Sequence, residues 1–347
     1  MRGQRREQAF RSFVAVAAGL SAGSAVWLAA AAGVAAHGAV PSEPPSAATI
    51  LLGWTFEPLP TLSILIATGW WFWAVGRVDA AHPANPVPRR RTWYFLAAMG
   101  ALAMALLSGI DRYDTTLFSI HMVQHILLIL VSAPLLALAA PVTLLLRVSS
   151  HDTRRRWILP ILHSKIVRIL THPIVAWILL ASVMWVSHFS PLFDAALEDP
   201  LIHDLEHVLF LTVALLFWWP AVALDPAPSR MGHPGRLTHV FLQMTQNTFL
   251  AVVLISATSV LYPHYASLAI PWPSDPLDDQ RLAAGIMWIV GDAIFIGALM
   301  AILYGWMRSE ERDAPRNDRD AAQDLAAIRL REQRLAERLA DERGDRA

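Results

Sequence analysis

The chain has 347 residues, of which 55% are hydrophobic and only 16% are charged, whereas an ordinary soluble domain is roughly 25% charged. Lys+Arg and Asp+Glu both number 28, which excludes the bulk basic surface that nucleic acid binding needs. Cysteine is absent, so disulfides, thiolate metal sites and a cysteine nucleophile are excluded. Histidine, methionine and carboxylates remain as strong metal ligands.

Eight apolar segments separate the charged parts of the chain, and most approach the roughly 20 residues that cross a hydrocarbon layer as a helix. Internal residues such as Pro134, Pro141 and Gly291 are compatible with membrane helices, because neighbouring helices satisfy the backbone groups that they free. The sequence therefore predicts an all-α fold, a polytopic membrane helix bundle with seven core transmembrane helices plus an N-terminal signal or anchor helix. The predicted spans are Phe13–Ala36, Pro58–Gly76, Trp93–Ile110, Leu117–Leu146, Pro173–His188, Ile202–Leu224, Leu237–Leu261 and Leu282–Met307.

Four parts follow from this pattern. They are an N-terminal signal peptide or anchor helix (1–36), an extracytoplasmic segment (37–57), a seven-helix membrane domain (58–307) and a charged cytoplasmic tail (308–347). The first part has two interpretations, because its 24 apolar residues suit an anchor while the small residues Val34, Ala35 and Ala36 suit cleavage before His37. The tail is dense in Arg, Asp and Glu, which is typical of a charged helix with a thin apolar stripe.

The loops alternate in charge along the chain. One set carries 12 Lys/Arg against 3 Asp/Glu and comprises residues 76–92, 147–171 and 225–239. The other set carries 2 against 10 and comprises residues 37–57, 111–116, 189–200 and 262–281. The positive-inside rule places the basic set in the cytoplasm. We therefore expect a multi-pass protein of the plasma (inner) membrane with a cytoplasmic C-terminus.

Two histidine pairs have the same spacing at the predicted outer ends of two spans. His121 and His125 open one span, and His203 and His207 open another. Residues four apart share one face of a helix, so each pair offers two imidazoles to one point. Both helices run in the same direction, so the four rings lie at similar depth if the helices are neighbours. This arrangement predicts a transition-metal or haem site, with a purely structural hydrogen-bond network as the alternative.

Carboxylates inside predicted spans sharpen this hypothesis, because a buried ionisable group is costly unless it is paired. Asp204 and Glu206 flank the second histidine pair. They can accept the second ring N–H of a ligating histidine, or they lie near the surface and are hydrated. Asp292 lies about ten residues into the last span, where we favour structural hydrogen bonding, with Asn247 as one candidate donor.

The histidine and methionine content favours copper over zinc, because a thioether beside imidazole selects Cu(I). Met184 and His188 are four residues apart at the outer end of their span. We expect His121, His125, His203 and His207 to hold copper, and His188, His264 and Met184 to be weaker candidates for capture or hand-over.

Short motifs around these residues are similar to those of a known family. His121-Met-Val-Gln-His125 is followed by Ala133-Pro134-Leu135-Leu136, and His203-Asp-Leu-Glu-His207 leads into Phe217-Trp218-Trp219-Pro220. Together with Ser187-His188-Phe189-Ser190-Pro191 and Leu261-Tyr262-Pro263-His264-Tyr265, they resemble the CtaG family of cytochrome c oxidase assembly factors, the caa-type group of seven-helix membrane proteins. The resemblance extends over residues 50–307 in order.

The resemblance implies a role in maturation of a haem–copper terminal oxidase, with copper insertion as the family's usual proposal. The expected partners are cytochrome c oxidase subunits, the copper ion and membrane lipid, with no nucleic acid, and we expect no enzymatic activity. A bis-histidine haem b protein is the main alternative, since facing histidines on two helices ligate haem in membrane bundles. A structural assembly scaffold is a third hypothesis. A copper transporter is disfavoured because the candidate ligands concentrate on one side of the membrane.

Overall fold

A computed structural model describes residues 40–344, except for the side chains of 315–321 and 336–344. The predicted helix at Phe13–Ala36, and with it the question of cleavage before His37, lies outside the described residues. Within the described range the chain forms helices and no strand, which confirms the all-α prediction.

Sixteen α-helices follow one another along the described chain. They are α1 (Ala47–Leu52), α2 (Pro58–Ala81), α3 (Arg89–Leu107), α4 (Gly109–Tyr113), α5 (Phe118–Ile126), α6 (Ala133–Ala139), α7 (Pro141–Val148), α8 (His151–Thr153), α9 (Leu159–Leu162), α10 (Lys165–Leu170), α11 (Pro173–His188), α12 (Leu192–Glu198), α13 (Pro200–Val222), α14 (His233–Ile255), α15 (Pro263–Ser267) and α16 (Pro276–Gly344). Two π-helical segments join α5 to α6 and α8 to α9, at Leu127–Ser132 and Arg154–Ile158.

Six helical stretches of the described chain are long and apolar enough to cross a membrane, by length and composition. They are Pro58–Ala81, Arg89–Tyr113, Phe118–Val148, Pro200–Val222, His233–Ile255 and Pro276–Ala314. Helices α11 and α12 are bent by 70° relative to each other and give a seventh span if they are counted as one. The structure therefore agrees with a polytopic bundle, and with the predicted seven core helices when this bent pair is included.

The described residues before Ala298 form one compact unit, and those from Ala298 onward form a second. In the first unit α13 packs against α6, α11, α12 and the π-helical Leu127–Ser132 segment. Helix α3 packs against α2, α6 and the same π-helical segment. The π-helical segment therefore lies between α3 and α13, directly after the histidine pair of α5.

Pro134 follows the π-helical turn and leaves one of its carbonyl groups without a backbone donor. In this stretch the Ala133 N–H bonds to the Leu128 carbonyl, five residues back. The same register would pair the Ile129 carbonyl with residue 134, but proline has no N–H to donate. The indole Nε1 of Trp218, from α13, donates to the Ile129 carbonyl at 2.9 Å instead. A hydrogen bond between helices thus satisfies the freed group, as the sequence predicts for proline in a membrane helix.

The starts of α5 and α13 are fixed by carboxylates, which places the histidines within the first three turns of each helix. Asp199 accepts from the backbone N–H of Leu201 at 2.8 Å, and Pro200 occupies the first turn of α13. Asp279, from α16, accepts from the backbone N–H and the hydroxyl of Ser119. Carboxylates at helix N-termini satisfy amides that have no partner within the helix.

Candidate metal site

The four paired histidines converge in the described structure. Ring centroids lie 4.3 Å apart for His121 and His125 and 4.2 Å apart for His203 and His207. Across the two helices, His121 lies 5.4 Å from His203, and His125 lies 6.3 Å from His207. We call these four residues the histidine cluster. Helices α5 and α13 are therefore close enough for the i, i+4 faces of the two pairs to meet, which the spacing left conditional on the helices being neighbours.

Burial makes the histidine cluster unusual. His121 and His203 are 0% exposed, and His125 and His207 are 4% and 5% exposed. Neither ring nitrogen of His121, nor Nε2 of His125, has a hydrogen-bond partner among the described residues. A buried polar group without a partner costs about 1–3 kcal/mol. The cluster therefore holds unused nitrogen ligands at a free-energy cost.

Gln124 fixes the orientation of His207. Its amide Nε2 donates to the Ala105 carbonyl of α3 at 3.0 Å, so its Oε1 faces the other way. This Oε1 lies 3.0 Å from Nε2 of His207. The ring nitrogen must donate, because an amide oxygen only accepts. Nδ1 is then the His207 nitrogen that carries a lone pair, and Gln124 has the position of an outer partner that orients a metal-binding histidine.

Two buried carboxylates adjoin the histidine cluster. Ligand atoms of His121, His203 and Glu206 lie within 4.8 Å of one another, and so do those of Asp114, His203 and His207. Oδ2 of Asp114 lies 3.9 Å from Nε2 of His203. Burial raises the pKa of the Asp114 carboxyl well above its usual range. The cluster thus offers imidazole and carboxylate ligands in two overlapping groups that share His203.

The remaining carboxylates divide between other roles. Asp204 lies outside both ligand groups and lines a cavity beside the cluster. Asp292 accepts from Asn247 Nδ2 at 3.3 Å and from the Thr248 hydroxyl at 2.7 Å. The expected structural hydrogen bonding of Asp292 is therefore present. The predicted span Trp93–Ile110 ends too early. The structure extends the corresponding candidate membrane span to Tyr113, so Asp111 lies inside it, with 9% exposure.

His188 and Met184 lie on α11, one turn apart, as predicted. Nδ1 of His188 contacts the Met184 carbonyl at 2.7 Å and must donate, so Nε2 carries the lone pair. That Nε2 has no hydrogen-bond partner among the described residues. Gln243 Nε2 donates to the thioether of Met184 at 3.2 Å. Both side chains therefore lie beside the histidine cluster rather than within its ligand groups.

His264 occupies a different position from the other candidates. Its Nε2 donates to the Thr115 carbonyl at 2.9 Å, and its backbone N–H donates to Asp194 at 3.2 Å. Nearby, the Tyr265 hydroxyl donates to the Asp114 carbonyl at 2.8 Å. His264 is part of the hydrogen-bonded loop around Asp114 and is outside both ligand groups.

Comparison with known proteins identifies the family to which this chain belongs. The family model described as cytochrome c oxidase caa3 assembly factor (Caa3_CtaG) matches residues 69–309, more than half of the chain. The chain belongs to the Caa3_CtaG family. Both histidine pairs and Gln124 lie within the matched residues, and so does Asp114.

Relatives of this Caa3_CtaG chain include three mycobacterial proteins. Uncharacterized proteins of Mycobacterium bovis and Mycobacterium tuberculosis are each 33% identical over 292 residues, covering 82% of this chain and 44% of theirs. An uncharacterized protein of Mycobacterium leprae is 29% identical over 287 residues, covering 80% and 43%. The chain thus spans less than half the length of these relatives. No solved structure matches it significantly.

Two cavities adjoin the histidine cluster of this Caa3_CtaG protein. The wide cavity, of about 260 Å³, has apolar walls from α2, α3 and α13, and it reaches His207. Three carboxylates also line it, from Glu57, Asp111 and Asp204. The narrow cavity, of about 30 Å³, is lined by His125, His188 and several thioethers. The cluster is therefore buried but has an acidic cavity on one side.

Proposed function

We propose that this protein is an assembly factor for a haem–copper cytochrome c oxidase, and that it binds copper at the histidine cluster before the metal is inserted. The observation that carries the proposal is the convergence of four buried imidazoles from two helices. The nitrogens of His121 have no hydrogen-bond partner in the part of the chain that the structure describes. Natural structures pair nearly all buried polar atoms. A bound cation supplies the missing partner.

Residue chemistry supports copper as the cargo. Imidazole and carboxylate ligands suit Cu(II) and also Zn(II), whereas neighbouring thioethers favour Cu(I). The cluster contributes four imidazoles, and Asp114 and Glu206 add carboxylates. Gln124 supplies the outer hydrogen bond that metal-binding histidines usually have. His188, His264 and Met184 remain secondary candidates for capture or hand-over, with His188 and Met184 the better placed.

The loop charges and the wide cavity support a route for the metal. The positions of the basic loops support an orientation with the histidine end of the bundle on the extracytoplasmic side, where copper arrives for an oxidase, and with the C-terminus in the cytoplasm. The wide cavity is lined by the carboxylates of Glu57, Asp111 and Asp204 and extends to His207, which supports its use as the passage for a cation. A metal site needs such a passage as well as its ligands.

The packing of the cluster argues against haem. Neighbouring rings across the helices are 5.4 and 6.3 Å apart, and the narrow cavity beside them holds about 30 Å³. A porphyrin needs a cavity of at least about 300 Å³. Among the residues that the structure describes, His207 is the one histidine that lines the wide cavity, so these residues do not provide two axial imidazoles there.

Metal analysis of purified protein tests the copper proposal. We expect wild-type protein to carry copper, and His121→Ala/His125→Ala or His203→Ala/His207→Ala to lose it. A matched control, His151→Ala/His163→Ala, removes two exposed imidazoles elsewhere and is expected to keep the wild-type copper content. Normal copper in both cluster variants contradicts the proposal, and a sharp Soret band instead of copper favours haem.

Oxidase content in cells tests the assembly role separately. We expect the cluster variants to accumulate oxidase that lacks copper, with oxidase subunits as the protein's partners. Full oxidase assembly by both cluster variants supports a structural scaffold and contradicts a role for bound copper.

A further inference from the structure

The narrow cavity is lined by an unusual set of soft ligands. His125 and His188 line it together with three methionines, Met122, Met184 and Met287. These residues come from α5, α11 and α16, so three separate helices contribute donor atoms. Each is at most 7% exposed, so the donor atoms are buried.

Both histidines present unpartnered nitrogens. Nε2 of His125 and Nε2 of His188 are buried and have no hydrogen-bond partner among the described residues. His188 donates through Nδ1 to the Met184 carbonyl, which leaves Nε2 as its basic nitrogen. Apolar packing alone does not account for two such nitrogens on one cavity, since buried polar atoms normally find partners.

Hydrogen bonds hold the methionine-bearing helices in place around the cavity. Gln243 Nε2 donates to the Met184 sulfur at 3.2 Å, and Asn247 Nδ2 donates to the Met287 carbonyl at 3.0 Å. Both amides come from α14 and line the same cavity. Methionine alone is a common packing residue. Its combination here with unpartnered imidazoles is the ligand set that soft monovalent metal ions prefer.

We propose that the narrow cavity is a second metal site, specific for Cu(I), in which His125 and His188 act with methionine thioethers. This second site extends the proposed function, and it rests on that proposal for the identification of copper as the bound metal. His125 belongs to both sites, so a Cu(I) ion can pass between the histidine cluster and the thioether site through a shared ligand, without a change of oxidation state. The thioethers make the narrow cavity selective for Cu(I), whereas the imidazole and carboxylate ligands of the cluster also suit Cu(II) when it is supplied separately.

X-ray absorption at the copper edge tests this site directly. Because the chain has no cysteine, sulfur in the copper coordination shell must come from methionine. We expect wild-type protein loaded with Cu(I) under reducing conditions to show sulfur scattering. Nitrogen and oxygen scattering alone in wild-type protein overturns the proposal without need of any variant.

Silver(I) binding to matched variants provides the second readout. We expect Met184→Leu/Met287→Leu to lose one bound equivalent of Ag(I), together with the sulfur signal of Cu(I). Met99→Leu replaces a buried methionine that lines only the wide cavity, and it is expected to keep both. Unchanged Ag(I) binding by the double variant contradicts the proposal.

A third variant distinguishes metal binding in the narrow cavity from metal binding at the histidine cluster. His203→Ala/His207→Ala removes cluster ligands but none that line the narrow cavity. We expect it to lose Cu(II) and to retain Ag(I) and the Cu(I)–sulfur signal. If it retains Cu(II) as well, the proposed function fails while the thioether site stands. If it loses Cu(II) but wild-type Cu(I) shows no sulfur, only the thioether site fails.

Discussion

Replacing His121 by leucine should stabilise the metal-free protein while removing copper binding. The imidazole is 0% exposed, and neither nitrogen has a hydrogen-bond partner among the described residues. Leucine has a similar volume and no polar atom, so it fits the space beside Phe193, whose ring centroid lies 5.0 Å away. A residue kept for stability alone would show the opposite effect.

The expected change in the free energy of unfolding follows from the hydrogen bonds that the His121 ring does not make. Removing a buried donor and acceptor without partners should raise the free energy of unfolding by about 1–3 kcal/mol. Copper at 100 times its dissociation constant should stabilise wild-type protein by about 2.7 kcal/mol. The variant should gain little from copper, because one ligand of the cluster is missing.

Thermal unfolding in detergent, with and without copper, measures both effects. His239→Leu is the matched control, since His239 is 6% exposed but bonds to the Phe217 carbonyl at 3.1 Å and stacks on its ring. We expect the control to lower the metal-free melting temperature and keep the copper-induced shift. A His121→Leu protein that is less stable without copper, yet still shifts fully with it, refutes the reasoning.

Further substitutions probe the groups around the cluster. Asp114→Asn should weaken copper binding by about 10–100-fold, measured by competition with a chelator, and unchanged affinity would show that the carboxylate does not act on the metal. Asp204→Asn should slow copper uptake by up to about tenfold through the wide cavity without altering the final copper content; stopped-flow loading at wild-type speed would exclude this passage. Trp218→Phe should lower the free energy of unfolding by about 1–2 kcal/mol, because the Ile129 carbonyl loses its donor; an unchanged melting temperature would contradict this account.

Helix class and the shared helix face of each histidine pair could be predicted from the sequence, because both depend on local spacing. Whether the two pairs meet could not be predicted, because it depends on α5 and α13 being neighbours. Residues four apart share a helix face whatever surrounds them, and long apolar segments report membrane helices directly. The acceptance of a hydrogen bond by Asp292 from Asn247 could also be anticipated, since a carboxylate within a span needs a partner. Its second donor, Thr248, was not anticipated.

The outer partners of the site could not be predicted, because they depend on tertiary packing. Gln124 reaches His207, 83 residues further along the chain, only because α5 and α13 are neighbours. Asp114 lies in the link before α5, where its charge is typical of a solvated loop, yet the fold buries it completely. Sequence spacing contains no signal for either contact. Asp114 precedes His121 by seven residues, and this spacing indicates a contact with the cluster only if the link before α5 is known to fold back onto it.

Copper-edge anomalous diffraction from crystals of the copper-loaded protein tests the central claim most directly. The account predicts a peak of anomalous density between α5 and α13, within bonding distance of nitrogens from both histidine pairs. Density confined to exposed histidines such as His151 or His163, with none between these two helices, would contradict it.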